Sequence, residues 1–244
     1  MILHVQVEEP VTPWTAGQFY LVRCTPSPDL WDPYLPRRLF PIGGHGCDLS
    51  LWLDAPEDRG VRWLINLPPG VAIDLIGPRG RGFDLANPAG NVLVLAEGLA
   101  IGALWPTIRA ALDAGAQVLL AYAAGSAEEA ILPSWLPPSV EYRLATTDGT
   151  AGVQGDIFAL LHGLERWPDQ ILAGIPPSAW LRLAAWIEQW RPRLTPGMAQ
   201  MLSLTPIGCG YGACRRCAVE RPEGHAIRSC VDGPVIDLYA WRRR

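Results

Sequence analysis

The stretch Cys209-Gly-Tyr-Gly-Ala-Cys214-Arg-Arg-Cys217, together with Cys230, restricts the possible folds of this 244-residue chain more than any other part of it. The four cysteines follow the spacing C-x4-C-x2-C-x12-C, by which plant-type proteins wrap a [2Fe–2S] cluster. Three thiolates of one loop converge on two irons only if the backbone bends sharply. Gly210 and Gly212 permit that bend and let backbone N–H groups approach the sulfurs. The predicted ligands are Cys209, Cys214, Cys217 and Cys230.

A structural zinc site is the alternative interpretation of the same cysteines. Zinc loops usually carry paired C-x2-C knuckles, and only Cys214 and Cys217 have that spacing. Cys209 would be a surplus ligand in such a site. A Rieske site needs two histidines, and only His225 lies between the last two cysteines. The spacing therefore favours the plant-type cluster.

Composition and charge exclude several classes of protein. With 49% hydrophobic residues the chain can bury a sizeable core, and its length suits one or two domains with a small appendage. A net charge of −4 argues against nucleic acid as a partner. The longest apolar stretch, residues 91–108, is interrupted by Glu, Gly and Pro, so we expect no membrane span. The N-terminus has no visible secretory signal, and we expect a reducing cytoplasm.

Residues 2–77 are predicted to form an antiparallel β-barrel or sandwich. Short runs with period-two alternation are separated by Pro and Gly, which is typical of antiparallel strands. The predicted strands cover residues 3–7, 19–23, 49–53 and 71–76.

From residue 90 onward the pattern becomes that of a parallel α/β sheet. Continuous apolar runs alternate with helix-like segments, and this order indicates parallel strands joined by crossover helices. The predicted strands cover residues 91–95, 117–122, 141–145 and 170–173, and the predicted helices cover residues 103–114, 126–132, 154–162 and 178–190.

The chain thus divides into three predicted domains. Residues 1–88 form the antiparallel barrel, residues 89–195 the α/β domain, and residues 196–244 the cysteine domain that carries the cluster. Prolines and a glycine near residue 196 mark the linker before the cysteine domain.

A barrel followed by a doubly wound sheet and a plant-type cluster resembles the ferredoxin-reductase superfamily. The order is most similar to the electron-transfer subunit family of NAD-dependent (class 1B) dihydroorotate dehydrogenase. The resemblance extends nearly from end to end. The matching segments are Gly17-Gln-Phe19, Arg37-Arg-Leu-Phe-Pro-Ile42, Gly60-Val61, Gly77-Pro-Arg-Gly-Arg-Gly-Phe83, Thr147 to Gly155, the cysteine loop, and Cys230-Val-Asp-Gly-Pro-Val235.

The resemblance implies that FAD is bound by the barrel, which would be the FAD-binding domain. A flavin dinucleotide needs a cation for its pyrophosphate and an apolar or aromatic face for its ring. Arg38 and Phe40 alternate onto one face of a strand, although a surface arginine beside a core phenylalanine would give the same pattern. Pro41 stands where the family has serine. The cofactor-binding residues that the resemblance implies are Arg38, Leu39, Phe40, Pro41, Leu53, Asp54, Ala55, Gly60 and Val61.

The α/β domain would be the NAD-binding domain of the family, but two of its motifs are altered here. The family's Gly-rich loop, whose amides face the dinucleotide phosphates, reads Ala96-Glu-Gly-Leu-Ala-Ile-Gly-Ala103. Glu97 brings a carboxylate to the expected phosphate position. The family's C-G-P turn reads Ala173-Gly-Ile175. We therefore expect NAD(H) to bind poorly and the sheet to serve as a scaffold.

The expected function is that of a FAD- and [2Fe–2S]-containing electron-transfer subunit. By resemblance it relays electrons between a flavoprotein catalytic subunit, similar to dihydroorotate dehydrogenase, and NAD or another carrier, in a two-plus-two heterotetramer. Arg215 and Arg216 would face the docking partner. Two alternatives stay open: a self-contained NAD(P)H-dependent ferredoxin-type reductase, and a non-redox interaction module stabilised by zinc.

Overall fold

The N-terminal part of the molecule is a five-stranded antiparallel sheet. The computed structural model describes residues 1–25, 33–53, 57–85 and 90–242. The strand order is β1-β4-β3-β2-β5, and one short helix, α1, follows β4. The elements are β1 (Ile2–Gln6), β2 (Phe19–Val22), β3 (Arg37–His45), β4 (Asp48–Trp52), α1 (Arg59–Ile65) and β5 (Leu75–Arg79).

The expected barrel is an open sheet in the part of the chain that the structure describes. There, β1 and β5 are edge strands that pair only with β4 and β2, respectively. The strand predicted at residues 71–76 is shifted, since β5 begins at Leu75 and continues through Pro78. The ladder between β3 and β4 shifts register between Pro41 and Gly43, and proline is tolerated at such an irregularity because it has no N–H to donate.

The second sheet has seven strands, in the order β14-β11-β10-β6-β7-β8-β9. All neighbours are parallel except β14, which runs antiparallel to β11. Its central strands are apolar except at their ends, because both faces of the sheet are covered. The elements are β6 (Asn91–Glu97), α2 (Ile101–Asp113), β7 (Gln117–Ala124), β8 (Val140–Thr146), β9 (Val153–Gln154), β10 (Gln170–Gly174), α3 (Trp180–Trp190), β11 (Ala199–Leu202) and β14 (Val235–Asp237).

Two of the predicted helices are confirmed and two are not. The predictions at 103–114 and 178–190 correspond to α2 and α3. Residues 126–132 form turns instead, where the Glu129 carboxylate accepts a hydrogen bond from the amide of Gly125, and Pro133 then disfavours helical geometry at the residue before it. Residues 154–162 contain the end of β9 and a single 3-10 turn, Ile157–Leu160.

The cysteine-containing segment lies between two strands of the seven-stranded sheet. The strands β11 and β14, which the sequence did not predict, enclose a hairpin of β12 (Ala218–Glu220) and β13 (Ala226–Arg228). A last helix, α4 (Leu238–Arg242), follows β14. Among the described residues no helix is both long enough and apolar enough to cross a membrane.

The Gly77–Phe83 motif packs the antiparallel sheet against the C-terminal segment. The amide of Arg81 donates to the carbonyl of Gly233 at 2.6 Å. At Gly80, where φ is +79°, an added Cβ would lie 2.5 Å from that same carbonyl oxygen and 2.6 Å from Cδ of Pro234. The motif therefore allows the antiparallel sheet and the C-terminal segment to approach each other closely.

Replacing Gly80 by alanine tests this contact, and Gly70→Ala is its matched control. Gly70 has a similar φ of +86° but nothing within 4 Å of an added Cβ, so both variants share the backbone strain and only Gly80→Ala overpacks the contact. We expect Gly80→Ala to lower the free energy of unfolding by about 1–3 kcal/mol more than Gly70→Ala. Urea unfolding followed by circular dichroism measures the difference. Equal losses in the two variants would show that the contact adds nothing.

Candidate iron–sulfur and flavin site

The cysteine loop bends where the two glycines predicted it would. Gly210 has φ of +77° and Gly212 has φ of +86°, both in the left-handed region that favours glycine. Arg215 also has a positive φ, +56°, between two of the cysteines. An added Cβ on Gly210 would lie 2.3 Å from Cδ1 of Leu21 on β2, so the loop rests directly on the antiparallel sheet.

Backbone amides of the loop converge on the sulfur of Cys209. The amide of Cys214 donates to Sγ of Cys209 at 3.5 Å. That hydrogen bond is the main reason that the pKa of Cys209 is lowered to about 6, and the amide of Tyr211 is the second reason. The Cys214 side chain is also within hydrogen-bonding distance of Cys209. The loop thus favours a thiolate at Cys209, and the thiolate is the form that binds metal.

Cys217 and Cys230 form a second, buried pair. Their exposed fractions are 1% and 2%, and the amide of Cys230 donates to Sγ of Cys217 at 3.5 Å. The pKa of Cys230 is raised to about 12, mainly by burial and to a smaller extent by the neighbouring Cys217 thiol. Two thiolates buried side by side are costly unless a cation compensates their charge. This pair therefore has the chemistry of a metal-ligating site.

Amide-to-sulfur contacts join the four thiols in two pairs. Within the described ranges no three His, Cys, Asp or Glu side chains are grouped so that they could hold a single metal ion. The cysteines instead pair as Cys209 with Cys214 and Cys217 with Cys230. A [2Fe–2S] cluster held by four thiolates gives two to each iron. The residues present thus fit that cluster.

Arg38, predicted to contact a flavin pyrophosphate, contacts the main chain that precedes the cysteine loop. Its Nη1 atom donates to the carbonyls of Ser203 and Thr205, each at 3.1 Å, and Nη2 donates to that of Leu204 at 3.1 Å. Its guanidinium carbon lies 4.9 Å from the centroid of the Phe40 ring. The flavin contact of Arg38 stays a prediction, and the observed partners are carbonyl oxygens.

The other residues of the predicted flavin site are divided between two cores. Leu39 and Leu53 pack inside the antiparallel sheet itself. Phe40, 1% exposed, packs on the opposite face with α2 and the buried cysteines. Pro41 is buried beside it. Asp54 and Ala55, also predicted, lie outside the described residues.

Gly60 and Val61 lie in the first turn of α1, and the Asp58 carboxylate accepts hydrogen bonds from their amides. Asp58 Oδ1 accepts from Gly60 N at 2.8 Å, from Val61 N at 3.0 Å and from Arg37 Nε at 2.6 Å. Burial opposes ionisation of Asp58, but the Arg37 guanidinium and the two amides outweigh it and hold its pKa below the usual value. Arginines, backbone amides and an aromatic ring are the kinds of group that bind a flavin dinucleotide. A phosphate at these amides would replace Asp58.

The expected nicotinamide crevice lies at the carboxyl ends of β6, β7 and β8 and is acidic. A cavity of about 350 Å³ is lined there by Glu97 and Asp156, among others. Burial first, and then the charge of Asp156, raise the pKa of Glu97. At Gly174 an added Cβ would lie 2.6 Å from Cβ of Ala100, so the neighbouring turn is tightly packed. Both features oppose a bound diphosphate.

Several residues that support this site were not predicted from the sequence. Asp58 precedes a helix as N-caps do, and that signal could have identified it. Arg79, whose Nε donates to the carbonyl of Gly210 at 3.1 Å, carries no local signal, because its partner lies 131 residues away. The same holds for Ser203 and Ser229, whose hydroxyls meet at 2.9 Å beneath the cluster loop.

Serine in place of any one of the four paired cysteines should greatly reduce the iron content of anaerobically purified protein, since a serine hydroxyl does not ionise as a thiol does. The matched control is Cys47→Ser, a half-exposed free cysteine outside the two pairs, which should keep wild-type iron. Iron and acid-labile sulfide analysis gives the result. Full iron and sulfide in any of the four variants would remove that cysteine from the ligand set.

Comparison with known proteins agrees with this site. Residues 205–240 match the family described as the iron-sulfur cluster binding domain of dihydroorotate dehydrogenase B. The chain is 26% identical over 237 residues to the dihydroorotate dehydrogenase B (NAD(+)) electron transfer subunit of Streptococcus pneumoniae serotype 4, covering 93% of the chain and 89% of the relative. The subunit of the same name from Desulforamulus reducens is 28% identical over 232 residues, covering 90% of the chain and 84% of the relative.

Solved structures support the fold. An NADH-dependent reduced ferredoxin-NADP oxidoreductase superposes with a TM-score of 0.76 at 19% identity, covering 97% of this chain and 83% of that one. The ferredoxin reductase in carbazole 1,9a-dioxygenase superposes with a TM-score of 0.64 at 16% identity, covering 82% and 63%. The chain is thus similar over most of its length to the dihydroorotate dehydrogenase B electron transfer subunits, and its fold is ferredoxin-reductase-like.

Proposed function

We propose that this chain is an electron-transfer subunit that carries a [2Fe–2S] cluster and FAD and passes electrons to or from a dihydroorotate dehydrogenase-like catalytic subunit. The observation that carries the proposal is the pairing of the four thiols, one pair partly exposed and one buried, on a loop that rests on the antiparallel sheet. The relatives' names and the matched cluster domain agree with it.

The chain's own groups hold and tune the cluster. Cys209 and Cys214 would bind one iron, and Cys217 and Cys230 the other. The amides that face Cys209 would donate to its thiolate in the holoprotein, and donors to a ligating sulfur favour the more negative reduced state. When bound, the cluster carries one electron at a time, whereas FAD exchanges electrons singly or in pairs.

The two cysteine pairs give the cluster an inner and an outer side. Cys214 is exposed, and Tyr211 beside it is 68% exposed. Cys217 and Cys230 are buried in the same core as Phe40 and Leu21 of the antiparallel sheet. An external redox partner would therefore approach the outer iron, while the inner iron faces the sheet on which we propose that FAD binds.

The proposed flavin site comprises the face of β3 and the start of α1. Its residues are those predicted from the sequence, Arg38 to Pro41, Leu53 to Ala55, Gly60 and Val61. The first amides of α1 would receive a phosphate once Asp58 releases them. Phe40 is buried against α2 in this structure, so its ring would have to become accessible to supply the apolar face. The open five-stranded sheet would correspond to the barrel domain, within the boundaries 1–88, 89–195 and 196–244.

NADH is proposed to be a poor electron donor for this chain. At neutral pH the Glu97 carboxylate repels a diphosphate in the crevice at the strand ends, whereas the charge of Asp156 there is compensated by Arg182. Because the pKa of Glu97 is raised, lowering the pH neutralises Glu97 before ordinary carboxyl groups and should improve NADH binding. Glu97→Gln should bind NADH several-fold more tightly at neutral pH.

Titration of the protein with NADH, and stopped-flow mixing with excess NADH, measure both effects. The matched control is Glu128→Gln, which removes an exposed carboxylate that does not line the crevice. Reduction of the wild type within milliseconds at micromolar NADH would overturn this part of the proposal. It would favour a self-contained NAD(P)H-dependent reductase.

The proposed partner is a flavoprotein catalytic subunit in a two-plus-two heterotetramer, acting in pyrimidine biosynthesis in the cytoplasm. Arg215 and Arg216 lie between two cluster ligands and are exposed, next to the exposed side chains of Tyr211 and Val231. This surface combines apolar contact area with two cations, although the chain as a whole has a net charge of −4. It suits a partner with an acidic rim.

Dihydroorotate should reduce the cluster under anaerobic conditions only when the catalytic subunit from the same source is present. Replacing both Arg215 and Arg216 by Glu should slow that reduction by at least about tenfold at low salt, and added salt should narrow the gap to the wild type. The control replaces Arg191 and Arg193 by Glu, an equal charge change outside the cluster loop. Electron paramagnetic resonance of frozen samples reports the reduced cluster. No cluster reduction with the partner present would reject the subunit assignment.

A further inference from the structure

Arg38 connects the antiparallel sheet to the segment that leads into the cysteine loop. Its guanidinium donates to three successive carbonyls, those of Ser203, Leu204 and Thr205, all at 3.1 Å. These partners are 165 to 167 residues away in sequence, and the bonds are partly buried. Only three residues separate this carbonyl segment from Cys209 of the proposed cluster site.

The same segment takes part in a compact group of three hydroxyls. The hydroxyl oxygens of Ser203 and Thr205 lie 2.8 Å apart, those of Ser203 and Ser229 lie 2.9 Å apart, and those of Thr205 and Ser229 lie 3.2 Å apart. Ser203 and Ser229 are 0% exposed. Buried hydroxyls that satisfy one another fix a single geometry, because any shift leaves one of them without a partner.

The hydroxyl group is joined to both buried cysteines. The amide of Ser229 donates to the carbonyl of Cys217 at 3.0 Å, and the Thr205 hydroxyl lies 3.4 Å from that same carbonyl oxygen. Ser229 directly precedes Cys230, whose amide donates to Sγ of Cys217. An unbroken series of polar contacts therefore runs from Arg38 through residues 203–205 and Ser229 to the inner pair of thiols.

We propose that Arg38 is a positioning residue for the buried half of the cluster, which it acts on through the Ser203, Thr205 and Ser229 hydroxyls. The assignment rests on the proposed cluster function and goes beyond it by naming what orients the inner ligands. It differs from the flavin-pyrophosphate contact predicted for the same guanidinium, and the two roles give opposite results when Arg38 is replaced.

The test compares three variants of the full chain, purified anaerobically: Arg38→Ala, Arg38→Lys and Arg37→Ala. Arg37 is the adjacent control, since it donates hydrogen bonds to Asp58 and to the carbonyl of Leu35 instead. Three readouts are used: the rate of iron release to a chelator, the resonance spectrum of the reduced cluster, and hydrogen exchange of peptides that cover residues 199–210 and 226–235.

Arg38→Ala should release iron about tenfold faster than wild type, because several charge-assisted hydrogen bonds are lost. Its cluster spectrum should change, and both peptides should exchange faster. Arg38→Lys, which keeps the charge and some of the donors, should restore the spectrum in part. Arg37→Ala should match wild type in all three readouts. Ser229→Ala should reproduce the Arg38→Ala pattern, and the double variant should be less than additive.

Loss of FAD from Arg38→Ala with unchanged iron release, spectrum and exchange would overturn the proposal and assign Arg38 to the flavin. Purified chain without iron and sulfide would instead reject the proposed function. Hydrogen exchange would then still show whether Arg38 orders the segment that leads to the inner thiols, because the contacts of Arg38 do not involve the cluster. Equal exchange in Arg38→Ala and Arg37→Ala would count against it.

Discussion

Cys217 and Cys230 place two thiols side by side in the protein core, and the surrounding structure is organised around them. Burial raises the pKa of the Cys230 thiol, so two thiolates at this position need a cation to compensate their charge. Two irons would supply that cation and connect the buried pair to Cys209 and Cys214. Metal binding would therefore contribute to the fold of residues 205–240 in addition to apolar packing.

The position of this pair explains why the three parts of the chain are so closely joined. The cysteine loop contacts β2 at Leu21 through Gly210, and β5 through Arg79. Strands β11 and β14, on either side of the loop, belong to the seven-stranded sheet. The inner iron would thus be fixed against two sheets, whereas the outer iron faces solvent. This difference suits a relay, which needs one rigid connection inward and one accessible edge.

The sequence predicted those features that short-range patterns encode. The C-x4-C-x2-C spacing located the loop, and its glycines have the backbone angles that the bend required. Strand alternation located β1, β2 and β4, and continuous apolar runs located the centre of the parallel sheet. The helix predicted at 126–132 was wrong, because a carboxylate contact at Gly125 and a following proline outweighed helical periodicity there.

Such patterns could not predict features that depend on contacts between residues distant in sequence. β11 has only four residues and is defined by its pairing with β10 and β14. The contacts of Arg38 lie more than 160 residues away, and nothing near Arg38 indicates whether its guanidinium meets carbonyls or phosphates. Asp58 is intermediate, since its capping position was readable but its pairing with Arg37 was not.

The most direct test of the account is the metal and spin content of the anaerobically purified wild-type chain. We predict two irons and two acid-labile sulfides per chain and, after reduction with dithionite, one unpaired electron per chain with the anisotropic resonance of a [2Fe–2S] cluster. One zinc per chain, with no sulfide and no resonance, would contradict the account and leave a structural role for the four cysteines.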